Sequence, residues 1–363
     1  MLSATSSEHV QMPASGERRH GSGLFLQRFS GSDSGAKGGE RPDRALRNAR
    51  VEEGAFLGQS DVLQNVVLAN NSFDALPPLT GLRQLRNLDL GGNKIKTIPD
   101  NAFIQTPKLT QLRLERNEIC TLTPNALKEI MNELALLDLS GNCFSSVPAQ
   151  NLRGAQKLVF VDLAENRISD LPNLQFMNLP ALKEVRLEGN KIVSLGPLAF
   201  MNVPNLQNLI LRNNSISRLE ANRFQLFEKL ELLDLSYNSI DKISTSTFKE
   251  VKSLSQLILD HNRIQSIETL AISTNPQLQV ISMQNNRLRE LYRNAFDNLP
   301  QMVILLLGNN SLEMINRGIF SGMPNLQQLS LRSNRISSVE SGGAFQNLPQ
   351  LTTLDLGENN LAR

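Results

Sequence analysis

The chain has 363 residues, 40% of them hydrophobic, and a formal net charge of +2. A balance so near neutral gives no electrostatic case for nucleic acid as a partner. The apolar run Val303–Leu307 is far too short to cross a bilayer, so no membrane span is expected in this chain.

Residues 1–50 are rich in Ser, Gly and charge, as in "MLSATSSEHVQMPASGERRHGSG" and "SGSDSGAKGGERPDR". Such a stretch cannot bury enough apolar surface to offset chain entropy, so a disordered tail is expected there. Its one apolar patch, "GLFLQRF", is short and broken by Gln27 and Arg28, unlike a secretory leader. Val51 and Phe56 then stand five apart, as Ile98 and Phe103 do. We read them as the rear half of a repeat that lacks its strand.

From there to Arg363 the frame LxxLxLxxNxI recurs. Its asparagine falls at Asn71, Asn93, Asn117, Asn142, Asn166, Asn190, Asn214, Asn238, Asn262, Asn286, Asn310, Asn334 and Asn359. Nine of the twelve intervals are 24 residues, and the others are 22, 25 and 25. The segment x-Leu-x-Leu-x alternates as a strand does, so Leu233 and Leu235 point inward while Leu232, Asp234 and Ser236 point outward. Successive strands stack in parallel, and the rest of each coil supplies the crossover.

The repeated asparagine solves a local problem. The chain must turn within the core, which would leave buried N–H and C=O groups unpaired. An amide can donate two hydrogen bonds and accept two, so one per coil can satisfy its own turn and that of its neighbour. Asn238 and its equivalents are thus scaffold. Ten residues after most of them comes a large apolar residue: Phe103, Leu127, Leu152, Phe176, Phe200, Phe224, Phe248, Ile272, Phe296 and Phe320, with Phe345 eleven on. This column predicts a packing spine along the convex side.

Few residues remain for chemistry. Two of the three histidines, His9 and His20, lie in the tail, which leaves no cluster for a zinc hydrolase or a His-based nucleophile. "LRGAQK" at Leu152–Lys157 lacks phosphate-loop spacing. No cofactor, metal or enzymatic activity is expected. Cys120 and Cys143 lie three and one residues past their asparagines in adjacent coils. That offset makes a bridge uncertain, and two free thiols are the expectation. Three glycosylation sequons, at Asn70, Asn213 and Asn309, share one coil position just before a repeated asparagine, although an asparagine-rich repeat also produces sequons by chance.

The outward strand positions form a face on the order of 60 Å long for thirteen strands at ~4.8 Å spacing. Its first half is charged with mixed sign. Its second half carries an apolar patch of Ile210, Leu232, Ile258, Val280, Ile304 and Leu306, with Asp234 among them and Arg212, Tyr237, Asp260 and His261 along the rim. Apolar surface rimmed by polar groups marks an interface, and Tyr and Arg are favoured anchors. The plainer explanation is strand propensity, since Ile and Val suit any strand.

The thirteen-fold frame and the "NAFxxLPxLxxLxL" pattern resemble the leucine-rich repeat family, in its "typical" 24-residue subclass, over roughly Val51–Arg363. The resemblance is to arrays such as those of Toll-like receptors and chaoptin. It implies an α/β-type repeat solenoid, a curved horseshoe with a parallel β-sheet on the concave face and few regular helices. It also implies a protein ligand bound on that face, in an extracellular or cell-surface protein of adhesion, matrix or receptor type. The cysteine-rich caps usual in secreted members are missing, and both ends fall within a repeat, so we read the chain as part of something longer. The competing expectation is a cytosolic adaptor or regulatory subunit of phosphatase or ubiquitin-ligase type.

Overall fold

The structure, a computed structural model, describes Leu24–Phe25 and residues 51–362 except 60, 221–223, 225, 246, 249–250, 270, 273–274, 293–294 and 342. The tail expected over 1–50 therefore lies outside the described residues, save for Leu24–Phe25. These two pair in parallel with Val66–Val67.

The array is one parallel sheet of fourteen strands. Its thirteen repeat strands, from Asn65–Val67 to Thr353–Asp355, are three residues each. The register never slips: Leu88 pairs with Leu112, Leu112 with Leu137 and Leu209 with Leu233. One-residue slippage would turn every core leucine outward, and that penalty fixes the register. The crossover halves are almost without helix, Ala149–Leu152 being the single α-helical turn among the described residues. Short parallel pairs on the rear, such as Lys242–Ile243 with Ser266–Ile267, tie some of them together. This is the curved, nearly helix-free solenoid expected from the repeat.

The core runs unbroken from Phe56 to Leu348, so the partial repeat at Val51–Phe56 packs onto it. The spine is present. Phe176 stacks on Phe200 at 4.8 Å between centroids, Phe224 on Phe248 at 5.6 Å, and Phe320 on Phe345 at 6.0 Å.

The asparagines form the ladder that the sequence requires. Asn238 Nδ2 donates to Leu235 O at 3.0 Å and Ser236 O at 3.1 Å in its own coil, and to Leu211 O at 2.9 Å in the coil before. Its Oδ1 accepts from Ile216 N at 2.9 Å. The same set recurs at Asn262, where Nδ2 reaches Leu259 O and Leu235 O and Oδ1 accepts from Ile240 N.

A second column stands beside it. The residue before every ladder asparagine has a left-handed backbone, with φ between 51° (Arg116) and 68° (Gly189). This bend takes the chain off the sheet and points the next side chain inward. Seven of the thirteen positions are the residues that adopt it most easily: Asn70, Gly92, Gly141, Gly189, Asn213, Asn285 and Asn309. At the other six a larger or less tolerant side chain accepts strain on the order of 1–2 kcal/mol.

The structure corrects the expectation for the cysteines. Cys120 and Cys143 form a disulfide with Cα atoms 4.4 Å apart. Just past each ladder asparagine the coils are out of step by two residues: in the strands an N–H bonds the carbonyl one before its aligned partner, as Gln111 N does with Arg86 O, whereas Cys143 N bonds Ile119 O, one beyond its aligned partner. The offset of two in the alignment thus vanishes in space, and Cys143 lies beside Cys120.

Replacing Asn238 by Ala should lower the urea midpoint sharply. It leaves buried Ile216 N unpaired, at about 1–3 kcal/mol, and takes one of two donors from Leu211 O and from Leu235 O, which keep Asn214 and Asn262. Asn359→Ala, at the half-exposed end of the ladder, should cost visibly less. Equal midpoints for the two variants would contradict the ladder argument.

Candidate partner-binding face

The outward side chains of the sheet lie in columns, one residue per coil. In one column Ile210, Asp234, Ile258, Ser282 and Leu306 follow each other in register. In the next, two residues earlier, Leu232, Gln256, Val280 and Ile304 follow each other. All six apolar patch residues are half-buried. The patch is a zigzag crossed by Asp234, Gln256 and Ser282, with Val280, Ile304 and Leu306 as its most continuous part.

Two rim carboxylates are engaged in the scaffold. Asp234 Oδ1 accepts from Ser236 N at 2.8 Å and from Ser236 Oγ at 2.6 Å, closing the strand exit. Asp89, Asp138, Asp162 and Asp355 make the same backbone bond two residues on. Asp260 Oδ1 reaches the following coil, accepting from Ser282 Oγ and Gln284 N, each at 2.6 Å. Burial pushes its carboxyl above the ordinary range against those two bonds.

The charged half of the face holds carboxyls crowded against one another. Asp162 is pushed up to about 7, first by burial and then by the nearby charges of Asp138 and Glu188, with the Ala164 N–H opposing. Burial also raises Glu115 and Glu188. Glu115 fills the space that a side chain would need at Gly91, where an added Cβ would lie 2.1 Å from Glu115 Oε1. Among these acids Arg186 packs over Phe160 at 5.3 Å and pairs with Glu184 at 2.7 Å. Among the described residues, no group of three or more His, Cys, Asp or Glu is placed to hold a metal ion. No helix of them is long and apolar enough to cross a membrane.

The remaining rim residues join into one feature. The Arg212 guanidinium lies 4.2 Å from the Tyr237 ring centroid, and its Nη1 donates to Ser236 Oγ at 3.1 Å. Tyr237 stacks on His261 at 4.0 Å and 19°. His261 Nε2 meets Asn285 Nδ2 at 3.2 Å. The row thus runs Arg212, Tyr237, His261, Asn285 over four consecutive coils. Sequence reasoning named three of these separately and missed Asn285, Ser236 and the stacking. A signal was there: a tyrosine and a histidine succeed each other in a column otherwise rich in Asn and Gly. The sequon residues Asn70, Asn213 and Asn309 stand in that column too, exposed, and their side chains make no hydrogen bond among the described residues.

The profile of the family described as "Leucine rich repeat" matches residues 61–119, 132–192, 156–216, 180–240, 204–264, 252–312 and 300–361. The leucine-rich repeat-containing G-protein coupled receptor 5 of Rattus norvegicus is 38% identical over 96 residues, 26% of this chain and 10% of the receptor. The MAP kinase phosphatase with leucine-rich repeats protein 3 of Dictyostelium discoideum is 33% identical over 70 residues, 19% of this chain and 8% of that protein. The chain thus covers about a tenth of either relative. A chain of the Drosophila Toll–Spatzle complex superposes with a TM-score of 0.72 at 21% identity, over 87% of this chain and 47% of that one. At that identity the likeness is one of fold.

The raised Asp162 carboxyl gives the array a pH dependence of definite sign. Folding favours the protonated form, so its contribution is fully present below about pH 4 and is lost as pH rises through about 7. Asp162→Asn should flatten the fall in melting temperature between pH 4 and 7 relative to the parent. Parallel curves would show that Asp162 is ionised throughout.

Proposed function

The chain belongs to the leucine-rich repeat family, and from that premise we propose that it is a protein-recognition module binding a protein ligand on the concave face. The observation that carries this reading is a rigid sheet whose outward positions hold an apolar zigzag beside a pre-stacked Arg–Tyr–His row. Half-buried apolar side chains supply area, and stacked Arg and Tyr supply low-entropy anchors. The Drosophila relative of like fold is described in complex with Spatzle, which fits a scaffold that holds protein. The module performs no bond chemistry of its own.

We further propose that it works in an extracellular or cell-surface protein of adhesion, matrix or receptor type. The Cys120–Cys143 disulfide supports an oxidising compartment. The exposed sequons at Asn70, Asn213 and Asn309 are accessible to glycan transfer, and one relative is a receptor. The similarity to a MAP kinase phosphatase favours the second reading, a cytosolic regulatory module.

The two readings separate on the cysteines. Protein taken from its native source under alkylation should carry Cys120 and Cys143 unlabelled until reduced. Labelling of both before reduction would move the chain to the cytosolic reading. For the face, Leu232→Arg with Ile258→Arg should abolish capture of the native partner while circular dichroism and melting stay unchanged. Undiminished capture would place the interface elsewhere.

A further inference from the structure

The Arg212–Tyr237–His261 row combines two features that scaffold needs do not explain. Tyr237 and His261 both occupy the left-handed column, each at φ 54°. Their neighbours in that column, Asn213 on one side and Asn285 and Asn309 on the other, accept this backbone with less strain. At these two successive coils the side chains meet and stack ring on ring. The second feature is the set of donors left over. Arg212 is exposed and makes no ion pair among the described residues, and Tyr237, 41% exposed, makes no hydrogen bond through its hydroxyl. The ring beneath Arg212 and the bond to Ser236 Oγ hold the guanidinium in place, so its free N–H groups face solvent already oriented.

Nearby carboxylates do not fill this position. Asp234 and Asp260 accept from the backbone and serines of the strand exits. Glu188, one coil back, interacts with Arg186. Beside Arg212 on its own strand is half-buried Ile210; Leu232 is diagonal to Ile210 in the next coil, and Ile258 stands two coils on in the Ile210 column.

Deepening the protein-recognition reading, on which it rests, we propose that this row is the anchor for an acidic–apolar segment of the partner protein. An Asp or Glu carboxylate of that segment takes the open N–H groups of Arg212 and the Tyr237 hydroxyl. The apolar neighbours of that residue pack on Ile210, Leu232 and Ile258. A charge-assisted bidentate contact is the strongest kind available to a guanidinium, and the stack orders it before the partner arrives.

The test uses the full folded chain as bait for a random linear-peptide display library. Selected peptides should be enriched in Asp or Glu at one position flanked by apolar residues. Their binding should fall roughly tenfold or more in Arg212→Gln, on the scale of a hot-spot contact. Tyr237→Asn with His261→Asn should lose the same binding yet melt no lower than the parent, because Asn relieves the left-handed strain. A purely structural stack would instead lower the melting temperature and leave binding alone. Peptides without acidic enrichment, or indifferent to Arg212→Gln, would overturn the anchor. If such peptides are still lost in Leu232→Arg with Ile258→Arg, the recognition reading stands without the anchor. If no peptide responds to either set, both fall.

Discussion

The buried asparagine amide is the interaction on which the rest of this molecule depends. A coil of some 24 residues has to leave its strand, turn inside an apolar core and return, with almost no helix among the described residues to absorb its backbone groups. Asn238 resolves this by bonding carbonyls in its own coil and the one before, and by accepting an N–H from that earlier coil. Because each amide spans two coils, it satisfies the turn and clamps the stack together. Nearest-neighbour coupling of this kind is what makes a solenoid a cooperative body.

The ladder dictates the geometry beside it. For the amide to point inward, the residue before it must turn left-handed, and it does so thirteen times. That requirement brings a column of side chains to one edge of the sheet's outward face at the spacing of the strands, near 4.8 Å. Rings at that spacing stack, and so Tyr237 and His261 form a pair with Arg212 laid over it. The Tyr237–His261 stack is thus a by-product of the scaffold's backbone, and Arg212 reaches it from the strand column beside it.

The same periodicity contributes to the electrostatics. Burial is the main cause of the raised Asp162 carboxyl, and the register adds to it, because a strand residue meets its own kind in the next coil and Asp138 faces Asp162. The face therefore divides into a half of mixed charge and an apolar half that carries the Arg212–Tyr237–His261 row.

The repeat asparagines, the inward leucines and the phenylalanine spine were legible in the sequence. Their signals are periodic, and each follows from a demand internal to one coil: bury alternate residues, pair the turn, fill the outer arc. Contacts between coils were not legible to the same degree. The disulfide was missed because the coils are out of step by two residues just past the asparagine, a shift visible only in bonds such as that from Cys143 N to Ile119 O. Asp234 read as part of the patch and Asp260 as part of its rim until the strand exits that they close were in view. Arg212, Tyr237, His261 and Asn285 are 24 or 25 residues apart in the chain, and only stacking made them one surface. Sequence by itself determined the coil, because its constraints are local. The tertiary structure decided the face, because a face exists only between coils.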